Sequence, residues 1–351
     1  MIILLLLLSA CEKEPVQAAS ERTILFYLAG NNNLWTEVDA KVEQIKAAPL
    51  DPKCRVLIYK QVQEWHPQLF EVVAGKEGNS LSLLRTYKEC YVDWPEQFEA
   101  LLHDVAQRFP ASSYGLVLFS HASGWLPALH TRSVAVDGNT EWALSDFAAA
   151  IPNEMFSFIV FESCSMAGVE VAWELKDKTE YIIASSAELI SPGFSPCYPD
   201  ALPHLYQPQI DLLAFCRTVE DDYRKRQGDY ASLTLSLIAT KELDALSAVI
   251  QGCDFPTDTD VQSFDRNGRA LFFDFEASYL LLLSPSQAVD LQMALDNCVV
   301  WKTATEQFMP TYGGFEIFHH SGLTTYIMQE RYAWLNEVYM GLKWTERGAK
   351  K

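Results

Sequence analysis

Apolar residues in the first half of the chain come in solid blocks separated by polar, helix-spaced stretches. Residues 23–29 are unbroken TILFYLA and are stopped by Gly30-Asn31-Asn32-Asn33, the pattern of a strand buried on both faces and ended by a turn. Leu34, Val38, Val42 and Ile45 then recur at helical spacing, and 55–59 predicts a second buried strand. A hairpin or irregular excursion is expected over 61–90, followed by a helix over 95–109 with Phe98, Leu101, Leu102 and Val105 on one face. Further strands are predicted at 114–120, 156–161 and 181–185, with helices at 144–151 and 169–175 between them. Strand and helix in alternation predict an open, largely parallel α/β sheet covered by helices.

Beyond Pro192 the rhythm loosens. Helices are expected over 210–226, from 243 and over 286–297, a strand over 233–238, and an aromatic helical stretch over 326–344. No repeat or low-complexity tract interrupts the chain. The expected organisation is a catalytic-type α/β domain over 22–190 and a smaller α/β region over 191–351 packed on it.

The first residues read differently. Residues 1–8 are apolar and end in Ser9-Ala10-Cys11, too short to span a membrane but suited to the core of an export signal. Leu8-Ser9-Ala10-Cys11 resembles the lipobox of bacterial lipoproteins, which would make 1–11 a signal peptide and acylated Cys11 the new N-terminus. Residues 12–21 then form a linker. The expected location is the bacterial cell envelope, as an outer-membrane or cell-surface lipoprotein.

Charge narrows the partners. The 351 residues carry 27 Lys and Arg against 46 Asp and Glu, a formal charge of -19, which repels phosphate backbones and argues against nucleic acid. No CxxC occurs, so a structural zinc site is not expected. With Cys11 acylated, Cys54, Cys90, Cys164, Cys197, Cys216, Cys253 and Cys298 remain, an odd set that leaves at least one thiol unpaired. GxSxG and the phosphate-loop motif are both absent. Around Asp265-Arg266-Asn267-Gly268 a calcium loop fails on spacing, because its Glu position falls on Asp274.

Open α/β sheets place their ligands beyond the carboxyl ends of the strands. His121 falls just past the predicted strand 114–120 and Cys164 just past 156–161, so the two can converge. A thiol beside an imidazole is a ready nucleophile, with the imidazole serving as base and then as acid to the leaving amine. Backbone N–H groups of the segment carrying Ala122 and Gly124 are expected to face a developing oxyanion. A helix N-terminus behind Cys164 would favour its thiolate. If the strand continues to Cys164, Glu162 shares its face and is expected to meet a cationic substrate side chain. His319 and His320 are expected to flank a strand.

Several of these segments together resemble the clostripain family of bacterial cysteine peptidases, relatives of caspases, gingipains and legumains. The resemblance runs from about residue 22 to about 345 and rests on 27–34 (YLAGNNNL), 121–125 (HASGW), 161–170 (FESCSMAGVE), 228–233 (GDYASL) and 321–326 (SGLTTY). It implies a caspase-like α/β fold and an endopeptidase cutting peptides or proteins after Arg or Lys. It places the catalytic pair on His121 and Cys164, and the family's acidic residue on Glu162. No cofactor is implied as required; calcium, which members often use or tolerate, enters by this resemblance only. Internal cleavage between His and Cys, known in some members, would have Arg132 as its basic residue here. Departures are Ala122 for the usual Gly, Asn31 where Asp is common, and Glu162 for Asp. The expected protein is a monomeric, membrane-anchored thiol protease. The alternatives are a peptide-binding lipoprotein of the same fold with weak or no turnover, and another thiol acyltransferase.

Overall fold

The computed structural model describes residues 16–62, 66–87, 95–127, 134–137 and 140–346; Cys11, the rest of the proposed signal segment, and Arg132 lie outside them. A nine-stranded sheet organises the molecule. In chain order its strands are β1 (Ser20–Gly30), β2 (Cys54–Val62), β3 (Gln68–Val73), β4 (Ser80–Thr86), β5 (Ala111–Phe119), β6 (Phe156–Glu162), β7 (Thr179–Ala184), β8 (Thr234–Ala239) and β9 (Val299–Ala304). Across the sheet the order is β9-β8-β7-β6-β5-β1-β2-β3-β4. The five central strands, β7 to β2, run parallel, and an antiparallel pair extends each side.

The solid apolar runs are explained by burial on both faces. On β1, Leu25, Tyr27 and Ala29 enter one core, while Ile24, Phe26 and Leu28 enter the other. The first core is closed by α2 (Glu96–Arg108), α3 (Leu144–Ala150) and α4 (Val169–Glu174), together with Tyr339 and Trp344 near the end of the chain. The second is closed by α1 (Trp35–Ala47) and α5 (Leu212–Tyr223). Residues between 191 and 346 contribute to both cores and add β8 and β9 to the same sheet.

The hairpin expected within 61–90 is there: β3 and β4 form an antiparallel wing on β2. Two other segments differ from expectation. β9 was not legible as a strand, because it is an edge with only Val299 buried. The stretch 326–344 starts extended and turns helical only at α6 (Ala333–Met340), where Asn336 donates to the Gln329 carbonyl and accepts from the Tyr326 hydroxyl. Among the described residues no helix is long and apolar enough to cross a membrane.

Candidate active site

Phe119 ends β5 and Glu162 ends β6, and these residues are partners in the parallel register. His121 and Cys164 each stand two positions further on, so they leave the sheet side by side from strands about 4.8 Å apart.

His121 is half-buried, and its Nε2 lies 2.6 Å from the Asn33 side-chain oxygen. An amide oxygen only accepts, so this contact places a proton on Nε2. Asn33 belongs to the turn after β1, the strand beside β5. That turn is stiffened by Asn32, whose side chain accepts from Leu34 N at 2.9 Å and donates to the Ala29 carbonyl at 3.1 Å. Asn33 was part of the motif read from the sequence, yet nothing there showed that its side chain reaches a residue 88 positions away.

Cys164 is also half-buried. The backbone N–H of Leu189, just beyond β7, donates to its Sγ at 3.3 Å, an interaction that favours sulfur carrying negative charge. Ser165 adopts φ 57, a left-handed conformation unusual for a side-chain-bearing residue. It is held there by Ser165 N donating to the Ala187 carbonyl at 2.8 Å and Ala167 N to the Ser185 carbonyl at 3.0 Å. The expected helix dipole is misplaced. α4 starts only at Val169 and runs six residues, and dipole effects fade within a turn. Locally the sulfur meets the Leu189 backbone, its N–H donating to Sγ and its carbonyl, at 3.8 Å, accepting from the thiol.

Gly124 marks where the loop after His121 meets the turn carrying Cys164. Its φ is +61, and an added Cβ would lie 2.6 Å from the Ser165 carbonyl and 3.0 Å from the Phe272 ring, so only glycine fits. Ala122 is buried and its methyl packs in the first core.

Glu162 has a place other than the expected one. The strand stops at this residue, and its side chain shares the face of Phe158 and Val160, toward the second core under α1. There the side chain is 0% exposed, with Lys41 Nζ 2.6 Å from Oε1. Phe194 N donates to the same oxygen at 2.7 Å, and the Tyr198 hydroxyl donates to Oε2. Lys41 also donates to the Pro192 carbonyl at 3.0 Å and stands 4.1 Å above the Phe119 ring. A carboxylate so enclosed and matched with internal donors does not offer itself to a substrate cation. Lys41 was the missed signal: it interrupts the apolar stripe Val38, Val42, Ile45, and a cation on a buried helix face requires a partner.

The remaining thiols and imidazoles are poor rivals for the chemistry. Burial pushes Cys54, Cys197 and Cys298 up to about 12, and raises Cys216 as well, which keeps them as inert thiols. None of the six cysteines described is in a disulfide. His319, 3.3 Å from Asp274 and 3.0 Å from Glu276, is raised by those carboxylates to about 10 and stays protonated. His320 is desolvated down to about 4 and meets the Ser186 hydroxyl at 3.1 Å. Asp265 accepts from Leu271 N and Phe272 N, and Asp274 caps the helix Phe275–Leu280. No cluster of three or more His, Cys, Asp or Glu able to hold a metal occurs among the described residues.

A sequence model described as the Clostripain family matches residues 27–254, about two thirds of the chain. Among solved structures, an inactive zymogen C11 protease from Parabacteroides distasonis is similar over 95% of this chain and 100% of its own, with 26% identity and a TM-score of 0.82. A secreted C11 cysteine protease from Bacteroides thetaiotaomicron, in complex with an irreversible peptide inhibitor, matches over 93% of this chain and 99% of its own, with 22% identity and a TM-score of 0.84. A clostripain from Bacteroides thetaiotaomicron in complex with the peptide inhibitor BTN-VLTK-AOMK matches over 61% of this chain and 97% of its own, with 20% identity and a TM-score of 0.52. No curated protein sequence matches the chain significantly.

Proposed function

Because this chain belongs to the clostripain family, and is therefore a cysteine protease, we propose that it cuts peptide bonds after Arg or Lys, with Cys164 as nucleophile and His121 as base. Its mostly parallel sheet between helices is the caspase-like fold. The observation that carries the assignment of roles is the register: Phe119 pairs with Glu162, so His121 and Cys164 emerge together at the carboxyl edge of the sheet.

In the proposed reaction the Cys164 thiol proton passes to the imidazole Nδ1 as sulfur attacks the substrate carbonyl carbon. The carbonyl electrons move onto oxygen, and backbone N–H groups of the loop at Ala122 and Gly124 stabilise that charge. When the oxyanion collapses the C–N bond breaks, and His121 gives its proton to the leaving amine. Water, deprotonated by His121, then attacks the thioester, releasing the new carboxyl terminus and restoring the thiol. Asn33 holds the ring in this reading and keeps the proton on Nε2.

The preference for basic residues is supported by the net charge of -19 and by the Lys that ends the peptide of one relative's inhibitor. The segment ending in Cys11, and the description of one relative as secreted, support an envelope lipoprotein. A peptidyl electrophile ending in Arg or Lys tests the chemistry. It should label the folded wild type and leave Cys164→Ala unlabelled; absence of Cys164-dependent labelling on folded, processed protein sinks the reading. Labelled-palmitate incorporation that persists in Cys11→Ser would sink the anchor.

A further inference from the structure

With Glu162 enclosed, another carboxylate has to meet a basic substrate side chain. The segment after β7 runs against the nucleophile turn: Ala187 and Ser185 accept from Ser165 N and Ala167 N, and Leu189 N reaches Cys164 Sγ at 3.3 Å. Glu188 sits between Ala187 and Leu189, one residue from the amide that touches the nucleophile. Its side chain is 36% exposed, and Arg266 Nε approaches Oε2 at 2.5 Å. Arg266 also donates to the Tyr312 carbonyl at 3.1 Å, with its guanidinium 5.6 Å from the Tyr312 ring centre.

The loop carrying Arg266 is docked on the same machinery. Asp265 ties it to Leu271 N and Phe272 N, and the Phe272 ring abuts Gly124 in the histidine loop. Asn267 and Gly268 follow in left-handed conformations, so Arg266 is presented at the head of a tight turn. A carboxylate one residue from the amide that meets Cys164, 36% exposed and already holding a guanidinium, is suited to the cation that a basic substrate supplies. With its partner Arg266 18% exposed, this pair is more open to solvent than the enclosed pair at Glu162, and so easier to exchange.

We propose that Glu188 selects the basic side chain of the substrate, and that Arg266 is a resident internal cation which the substrate displaces from it. This rests on the basic preference proposed above. The test compares kcat/KM on matched peptides with Arg, Lys or Gln at the cleaved position. Glu188→Gln should lower the Arg and Lys values about 10- to 100-fold, the loss of a charge-assisted hydrogen bond, and spare the Gln peptide. Arg266→Gln should lower KM for basic peptides by removing the competitor; an unchanged or higher KM overturns that half.

Glu188→Arg combined with Arg266→Glu keeps the loop ion pair but reverses it. It should melt like wild type and still lose the basic peptides, whereas a purely structural pair would restore them and overturn the assignment. Alkylation of Cys164 by iodoacetamide should hold or rise in Glu188→Gln, since a neighbouring carboxylate disfavours a thiolate; a fall in step with kcat/KM overturns it. Undiminished cleavage of Arg and Lys peptides by Glu188→Gln refutes the selector directly. Failure of the underlying preference is distinguishable, because wild type would then cut other peptides and not basic ones.

Discussion

Replacing Lys41 with Met separates a structural from a selective role for the acidic residue before the nucleophile. In the intact protein the Lys41 ammonium donates to Glu162 at 2.6 Å and to the Pro192 carbonyl at 3.0 Å, with 1% of its side chain exposed. Met keeps the apolar stem against Phe119 but removes the charge. Breaking a buried pair by removing one partner costs about 3–5 kcal/mol, because the other charge is stranded. Glu162 would still accept from Phe194 N and the Tyr198 hydroxyl, which places the loss near the lower bound, about 3 kcal/mol. At roughly 2 °C per kcal/mol for a domain of this size, the melting temperature should fall by about 6 °C. Glu162→Gln should fall comparably, since it strands Lys41, and the double variant should lose less than the sum of the two. Thermal melts of the four proteins measure this, with Cys164 labelling well below the transition reporting the site. The structure expects Glu162→Gln to lose stability and retain its Arg and Lys preference. Single variants that melt like wild type, with basic cleavage lost in Glu162→Gln alone, would refute the enclosed-pair account.

Other perturbations probe the neighbouring geometry. Gly124→Ala forces a methyl toward the Ser165 carbonyl at a left-handed position, and kcat/KM should drop at least about 10-fold; wild-type turnover would show that the two loops do not need this approach. Asn33→Ala frees the His121 ring and should lower kcat roughly 10-fold with little change in KM, measured on the best basic peptide; an unchanged kcat removes Asn33 from the orienting role. His319 keeps its proton to about pH 10 in the folded protein, against an ordinary value of 6.5, so its contribution is complete below 6.5 and is lost as pH rises through 10. Half-exposed, it should add only about 1 kcal/mol. His319→Gln should therefore melt lower than wild type at pH 6 and converge with it near pH 11; parallel curves would contradict the ion pair.

The parts legible in the sequence are those fixed by local pattern. Strands buried on both faces wrote themselves as continuous apolar runs, and β1, β5, β6 and β7 were readable for that reason. His121 and Cys164 were visible because each follows such a run directly. What stayed hidden depends on direction and distance. Glu162 was read along the strand toward Cys164, when strand parity and the end of β6 turn it under α1 to Lys41. Asn33, Leu189, Glu188 and Arg266 lie in turns or loops, where neither periodicity nor propensity reports what a side chain will face. The edge strand β9, with one buried residue, carried almost no signal at all.

The far side of the nucleophile turn depends on residues near the end of the chain. Thr324 N donates to the Ala167 carbonyl at 2.9 Å, and Tyr326 N reaches the buried Glu170 carboxyl from 156 positions away. The turn therefore acquires this outer support only once residues 324–326 have been added to the chain. Nascent chains halted before Thr324 carry both His121 and Cys164 yet lack that brace.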